Sequence, residues 1–270
     1  FVGSIEGWDV GSGGCDSKSC KDQDASSPNI FNDSGKRVFT SNLVGSIALP
    51  MTWDISTKWQ ASLSPGVSFL PSSQGEGQGG SGEFYGNNVW VAGGGLWRPI
   101  PELGFFTSAL VPFGPGNNSF DSNLDFSRVP IYNGGISWNL NPRVSLEGAL
   151  TNGWGASPAT ALLTLPSTNR LGYSARFHYT YGAPDTPQEK LSLRQLSLAS
   201  GGLTVNTALV PPDGSTQFKA NTDSEGNLFY FIGNSLSNIF QLELTNVGWF
   251  NNVPQTNELA KTYATDKGWN

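Results

Sequence analysis

The chain has 270 residues and a formal net charge of −6, and no cluster of Lys or Arg occurs in it, which argues against nucleic-acid binding. Charged residues make up 13%, against roughly 25% in an average domain, whereas Gly and aromatic residues are abundant. No apolar run approaches the ~20 residues that a membrane-spanning helix needs. The length suits one large all-β domain or two ordinary ones.

Residues 1–37 are predicted to contain a short N-terminal strand followed by a polar loop. The loop holds both cysteines, Cys15 and Cys20, whose spacing permits a small disulfide loop and thus predicts an oxidising compartment. Two unpaired thiols are the alternative. A metal site is not expected, because no second Cys pair or nearby His completes one. The chain begins at Phe1 without a secretory leader, so either a leader has been removed or the chain is a fragment.

Residues 38–250 contain segments in which apolar and polar residues alternate. In Leu171–Tyr181, the clearest, Leu, Tyr, Ala and Phe alternate with Gly, Ser, Arg, His and Thr. Side chains alternate across a strand, so this segment has an aromatic face and a polar face. Trp59–Phe69 and Arg143–Thr151 repeat the pattern, and Pro65 indicates a bulge or a sheet edge in the first of them.

Two similar hairpins are predicted over Val89–Phe113 and Val129–Thr151, each with a Gly-Gly pair shortly before a Trp and a turn. Between residues 38 and 170 the connections alternate between short and long. Such a pattern predicts an up-and-down sheet with short turns at one end and long loops at the other, as in outer-membrane barrels. Further strands are predicted at Leu203–Val210, Gln217–Thr222, Leu228–Ile232 and Ile239–Val247.

Aromatic residues stand near the ends of several predicted strands, beside turns. Girdles of Trp and Tyr at the two membrane interfaces would place them there. The predicted fold is therefore all-β, an antiparallel up-and-down transmembrane β-barrel formed by residues 38–250. A soluble β-sandwich, propeller or solenoid is the alternative. The girdle candidates are Trp59, Trp97, Trp138, Tyr179 and Tyr181.

Strand parity assigns polar side chains to the interior of such a barrel. Arg176, His178, Arg143 and Glu147 are the candidates for lining the lumen and influencing what passes. His178 is the only histidine, so multi-His metal sites and most Ser-His or Cys-His nucleophilic arrangements are not expected. The sequence predicts neither an enzyme nor a cofactor site.

Three segments resemble bacterial outer-membrane β-barrels, and cyanobacterial ones in particular: Gly135–Leu150, Asn169–Pro187 and Gly202–Gly214. The resemblance extends over residues 38–250. It implies the outer membrane of a Gram-negative-type envelope, the lipid bilayer as partner, and a channel for small solutes or polysaccharide, or a surface scaffold.

Residues 251–270 are predicted to form a loop and a short helix. Barrels of the kind that the chain resembles commonly end in a strand with a terminal aromatic residue. This chain ends instead in a predicted loop and short helix, which favours a fragment of a larger barrel. The alternative function is a secreted or cell-surface β-rich module that binds carbohydrate on exposed Trp and Tyr side chains. The sequence leaves the oligomeric state open.

Overall fold

The computed structural model describes residues 2–10, 40–70, 86–120, 126–153, 157–164, 171–182, 187–191, 213–224, 228–237 and 240–248. Fourteen strands lie in these ranges. They are β1 Val2–Val10, β2 Thr40–Ala48, β3 Met51–Asp54, β4 Trp59–Phe69, β5 Asn88–Ile100, β6 Leu103–Pro115, β7 Ser119–Phe120, β8 Phe126–Ser127, β9 Ile131–Asn141, β10 Val144–Thr151, β11 Gly172–Tyr181, β12 Thr216–Asp223, β13 Leu228–Ser237 and β14 Phe240–Gly248. A 3₁₀ turn covers Gln188–Lys190.

Eleven of these strands form one antiparallel sheet in the order β1-β2-β4-β5-β6-β9-β10-β11-β12-β13-β14. Each strand pairs with the strands that precede and follow it in this path, so the sheet is up-and-down throughout. β3 joins the sheet by pairing with β4, and β7 and β8 form a separate two-stranded ribbon. The predicted all-β, antiparallel, up-and-down architecture is confirmed.

The two predicted hairpins are confirmed, with tight turns at one end of the sheet. Residues 101–102 join β5 to β6, and residues 142–143 join β9 to β10. We call this the short-turn end. Residues 116–130 and 152–171 connect strands at the opposite end, the long-connection end. The alternation stops after β11, because residues 182–215 connect β11 to β12 at the short-turn end.

The segment around Pro65 differs from the prediction of a bulge or an edge. β4 pairs with β5 in continuous register through Pro65, which lies opposite Val91. On its other side β4 meets β2 up to Ala48 and then β3 from Met51 onward. Pro65, which has no N–H to donate, therefore faces the break between β2 and β3, where its carbonyl accepts a hydrogen bond from Leu49 N at 2.9 Å. A second strand, β3, thus begins directly after Pro50.

The polarity of the two faces of the sheet is the inverse of that usual in a soluble protein, because polar side chains are buried and large apolar side chains are exposed. The buried face is rich in hydroxyl, amide and ionisable side chains: Ser46, Gln60, Ser62, Ser64, Ser68, Asn88, Ser108, Asn133, Ser137, Asn139, Ser145, Glu147, His178, Thr180 and Gln217. The opposite face exposes large apolar side chains: Ile5, Leu43, Ile47, Leu63, Phe69, Val89, Phe113, Tyr132, Ile136, Leu146, Leu150, Tyr173, Phe177, Ile232, Leu242 and Leu244. Some apolar residues, including Trp90, Phe106 and Leu110, also face inward and are buried.

Several predictions concern residues outside the described ranges: the strand at Leu203–Val210, the helix within 251–270, and the disulfide between Cys15 and Cys20. Within the described ranges, no helix is long and apolar enough to cross a membrane.

Gly66 lies under the indole ring of Trp90, and this close packing requires a residue without a side chain. A Cβ at Gly66 would lie 2.4 Å from the ring, which is buried and fixed by a hydrogen bond from its Nε1 to Ser68 Oγ at 3.0 Å. We expect Gly66→Ala to lower the free energy of unfolding by about 1–3 kcal/mol, as overpacking does. Urea unfolding followed by tryptophan fluorescence measures the change.

Gly148→Ala is the matched control, because no atom lies within 4 Å of a Cβ at this position in β10. We expect its unfolding free energy to stay within about 0.5 kcal/mol of that of the unmodified protein. Equal destabilisation by the two substitutions would contradict the packing of Trp90 on Gly66.

Candidate functional site

The polar face brings four ionisable side chains together where β10, β11 and β12 run side by side. Glu147 is paired with Arg176 in the β10–β11 register, and His178 is paired with Lys219 in the β11–β12 register. Directly paired residues of neighbouring strands point to the same face, with their Cβ atoms about 5 Å apart. The pairing therefore places three predicted lumen candidates next to Lys219, which the sequence reasoning did not single out.

Glu147 and Arg176 form an ion pair across these two strands. Arg176 Nη1 lies 3.4 Å from Glu147 Oε1, and the Arg176 side chain is 17% exposed whereas that of Glu147 is 6% exposed. The second carboxylate oxygen of Glu147 is buried and has no hydrogen-bond partner within the described part of the chain. The pair thus leaves one acceptor available on a buried carboxylate.

Lys219 lies on β12, so along the sheet it is on the same side of Glu147 as Arg176 of β11. Its Nζ lies 4.4 Å from the centroid of the Phe231 ring, on the neighbouring strand β13. A cation over an aromatic face is attracted by the quadrupole of the ring. The Phe231 ring is thus one of the partners that position the ammonium group on the polar face.

His178 lies deep in the polar face, at 1% exposure. Its Nε2 is 3.2 Å from Thr180 Oγ1, two residues further along the same strand. Arg143 differs from the other candidates, because it lies in the turn between β9 and β10 and is half-buried there. Its backbone N donates to Asn141 Oδ1 at 2.8 Å. The structure thus groups Glu147, Arg176 and His178 and places Arg143 at the end of the strand.

Several buried polar atoms on the strands lack a protein partner within the described residues. They are Ser62 Oγ, Ser64 Oγ, Asn88 Oδ1, Ser137 Oγ, Asn221 Oδ1 and Ser235 Oγ, together with Glu147 Oε2. A buried polar group costs free energy unless it is hydrogen-bonded, and water satisfies such groups where protein does not. This face is therefore chemically suited to a hydrated interior.

A segment of the long connection after β10 crosses the polar face. We call residues 157–164 the crossing loop; its last residue, Thr164, forms a β-bridge with Gly153, which follows β10. At its far side, Ala159 N donates to Glu6 Oε1 at 2.8 Å, and the Ser157 hydroxyl donates to the other carboxylate oxygen of Glu6. Glu6 belongs to β1, so the crossing loop links β10 to the first strand of the sheet.

Asn118, in the connection between β6 and β9, holds the crossing loop from the other side. Its Nδ2 donates to the Leu162 carbonyl at 2.6 Å, and its carbonyl accepts from Thr164 N at 3.1 Å. Ala159, Thr160 and Leu162 are completely buried as a result. Five strands (β2, β4, β5, β6 and β9) lie between β1 and β10 along the sheet. A loop that follows β10 and contacts β1 therefore requires the sheet to curve around it.

The girdle candidates lie toward the short-turn end of the sheet. Trp59 and Trp97 are exposed and stacked with their ring centroids 5.7 Å apart, and Trp97 stacks on Phe105 at 5.4 Å. Trp138 and Tyr181 are also exposed, whereas Tyr179 is half-buried. The aromatic side chains of neighbouring strands thus form a row on the apolar face.

Comparison of the chain with protein-family models, with curated proteins and with solved structures found no match. Within the described part of the chain, no group of three or more His, Cys, Asp or Glu side chains is arranged to hold a metal ion.

Glu6 provides a direct test of the crossing loop. We expect Glu6→Ala to raise the deuterium exchange rate of the Ala159 amide by on the order of tenfold, because a hydrogen bond to a charged group contributes about 1.5–3 kcal/mol. Hydrogen–deuterium exchange of the purified protein, resolved by peptide, measures it. Glu189→Ala, which removes an exposed carboxylate in the 3₁₀ turn, is the control. Unchanged exchange in Glu6→Ala would mean that Glu6 does not hold the loop.

Proposed function

We propose that this chain forms an outer-membrane β-barrel, or a large part of one, that acts as a passive channel for small solutes. The apolar face of the sheet contacts lipid, and the polar face surrounds a water-containing interior. No catalytic step is assigned to it.

The inverted polarity of the two faces carries this proposal. In water, folding buries apolar surface and leaves polar side chains exposed. Here the strands bury Ser, Asn, Glu and His side chains and expose large aliphatic and aromatic side chains along their whole length. Soluble monomers rarely expose a contiguous apolar patch larger than a few hundred Å². A bilayer outside and water inside is the environment that suits both faces.

The strand lengths fit a bilayer. β4 runs from Trp59 to Phe69, and its two terminal residues are exposed aromatic side chains. Ten steps of about 3.3 Å give roughly 33 Å along the strand, which a tilt of about 40° reduces to roughly 25 Å. That is the height of the apolar band of an outer-membrane barrel. Trp59 and Phe69 would then lie at the two interfaces.

Closure into a barrel belongs to the proposal. In hydrocarbon every backbone N–H and C=O group needs an internal partner, so an open sheet edge is excluded there. The crossing loop supports closure, because the contact of Ala159 with Glu6 requires a strongly curved sheet. Among the described residues, the buried polar atoms that have no protein hydrogen-bond partner favour a hydrated channel over a dry scaffold.

A surface module that binds carbohydrate is the second candidate, and the stacked row of Trp59, Trp97 and Phe105 favours it. Flat aromatic surfaces of this kind suit the apolar faces of sugar rings. The apolar face extends well beyond this row, from β1 to β14, which a local platform does not require.

Charge placed on the apolar face at two depths tests the membrane environment. Ile136 and Leu140 lie on the same face of β9 and are both 47% exposed, but Ile136 is central and Leu140 is near the strand end. We expect Ile136→Arg to cost about 2–4 kcal/mol of stability in a bilayer and Leu140→Arg about 0–1 kcal/mol. Urea unfolding from lipid vesicles measures both. In a soluble protein, both substitutions would stay within about 0.5 kcal/mol, and that result would contradict the proposal.

Fractionation and conductance test the proposed function directly. We expect the protein to require detergent for extraction, to migrate differently on a gel before and after heating, and to produce stepwise currents in a planar bilayer. Heat-denatured protein is the control. A monomer that remains soluble without detergent would exclude the barrel, and a detergent-requiring protein without conductance would favour a scaffold.

A further inference from the structure

A row of three polar side chains crosses β10, β11 and β12 on the polar face. Arg176 is paired with Glu147 of β10 on one side and with Asn221 of β12 on the other. Directly paired residues point to the same face, with their Cβ atoms about 5 Å apart. The guanidinium group of Arg176 therefore has an oxygen-bearing side chain on each side. We call Glu147, Arg176 and Asn221 the polar row.

Both outer members of the polar row carry an oxygen atom that lacks a hydrogen-bond partner among the described residues. These atoms are Glu147 Oε2 and Asn221 Oδ1, and both are buried. The Glu147 side chain is 6% exposed, and its other carboxylate oxygen, Oε1, lies 3.4 Å from Arg176 Nη1. A buried acceptor without a partner is destabilising. The two acceptors, one on each side of a guanidinium group, suit a ligand that donates a hydrogen bond to each of them.

The β12 side of the polar row is the more accessible one. Arg176 and Asn221 are half-exposed, and so is Ser174, two positions before Arg176 on β11. On β9 and β10, by contrast, most side chains of the same face are buried. A solute in the interior therefore meets Arg176 and Asn221 first. The long side chain of Arg176 has many rotamers, so a change of rotamer opens the way to the acceptor of Glu147.

The charges around the polar row favour an uncharged ligand. Arg176 and Lys219 both interact electrostatically with the Glu147 carboxylate, and Lys219 makes further interactions, including the one with the Phe231 ring. Another cation would be repelled by Arg176 and Lys219, and an anion would be repelled by Glu147, whereas an uncharged solute meets neither repulsion.

The other ionisable side chains in and beside the interior lie outside the polar row. His178 and Asp223 are each two positions along a strand from a member of the row. The rest belong to other strands or to connections: Glu6, Asp54, Arg98, Arg128 and Arg143. The groups directly paired within the row therefore determine which hydrogen bonds a ligand meets there.

We propose that the polar row binds small uncharged solutes of the urea type, in which a carbonyl acceptor lies between two N–H donors. This inference rests on the proposed channel and names a class of solute that it would take. The carbonyl oxygen accepts from the Arg176 guanidinium group, and the two N–H groups donate to Glu147 Oε2 and Asn221 Oδ1. The order donor, acceptor, donor in the solute is complementary to the order acceptor, donor, acceptor in the row.

The specificity follows from the cost of leaving buried polar groups unpaired. A site that hydrogen-bonds an N–H group of its ligand rejects an analogue without that group, because the acceptor is then left without a partner. Tetramethylurea has the same carbonyl group but no N–H donor. We therefore expect the polar row to discriminate strongly between N-methylurea, which retains donors on both nitrogen atoms, and tetramethylurea.

Saturation-transfer NMR with the full chain in detergent tests the site. We expect transfer from the protein to the methyl group of N-methylurea and none to tetramethylurea beyond that of protein-free micelles. Asn221→Leu, which removes one acceptor, should lower the transfer by on the order of threefold or more, the effect of losing a hydrogen bond. Ser174→Ala, which removes a half-exposed hydroxyl of the same face outside the row, is the matched control and should leave the transfer unchanged.

Heat-modifiable migration verifies that each variant is folded, and Asn221→Ala replaces Asn221→Leu if the latter is not. Transfer that is absent, equal for both ureas, or unaffected by the loss of Asn221 in a folded protein would overturn the site and mean that water alone occupies the row. The proposed channel is judged separately by its conductance. Transfer to N-methylurea in a protein without conductance would support the binding site and overturn the channel.

Discussion

The alternation of side chains between two unlike environments is the constraint on which the structure depends. In an ordinary sheet the side chains of only one face must match their surroundings closely, whereas here those of both faces must. A register slip of one residue would bury Leu146 and expose Glu147. The observed register avoids this, because it pairs Glu147 with Arg176 on one face and Leu146 with Phe177 on the other. The same register that places apolar side chains outward therefore also assembles the interior charges.

The crossing loop adds a long-range restraint that strand pairing alone does not provide. Neighbouring strands fix only local geometry, and a wide sheet can remain open. Glu6 and Asn118 bind the loop from opposite sides, and the loop buries Ala159 and Leu162 in the interior. The loop therefore fills space with buried side chains, while side chains of Glu6 and Asn118 satisfy its Ala159 N and Leu162 carbonyl groups.

The sequence predicted the features that depend on local periodicity. Strand positions, the two hairpins and the polar side of Leu171–Tyr181 follow from a period of two residues. Parity assigns a face but not a register, so the contact between Arg176 and Glu147 was not predicted. The hydrogen bond between Glu6 and Ala159 joins residues 153 positions apart, and no local pattern contains it. The position of Lys219 on the polar face could have been predicted, because the alternation of side chains within Gln217–Thr222 places it on the same face as Gln217.

The direction of the outermost strands determines how the sheet can close. Neighbouring strands of this path are antiparallel, so an odd number of them leaves β1 and β14 running in the same direction. Direct pairing of β1 with β14 would be parallel, whereas one additional strand between them would keep every pair antiparallel. Ile5 of β1 and Leu244 of β14 are among the most exposed apolar side chains. If the sheet lies in a bilayer, as we propose, both edge strands require a partner for their backbone groups, and antiparallel geometry then favours an even total.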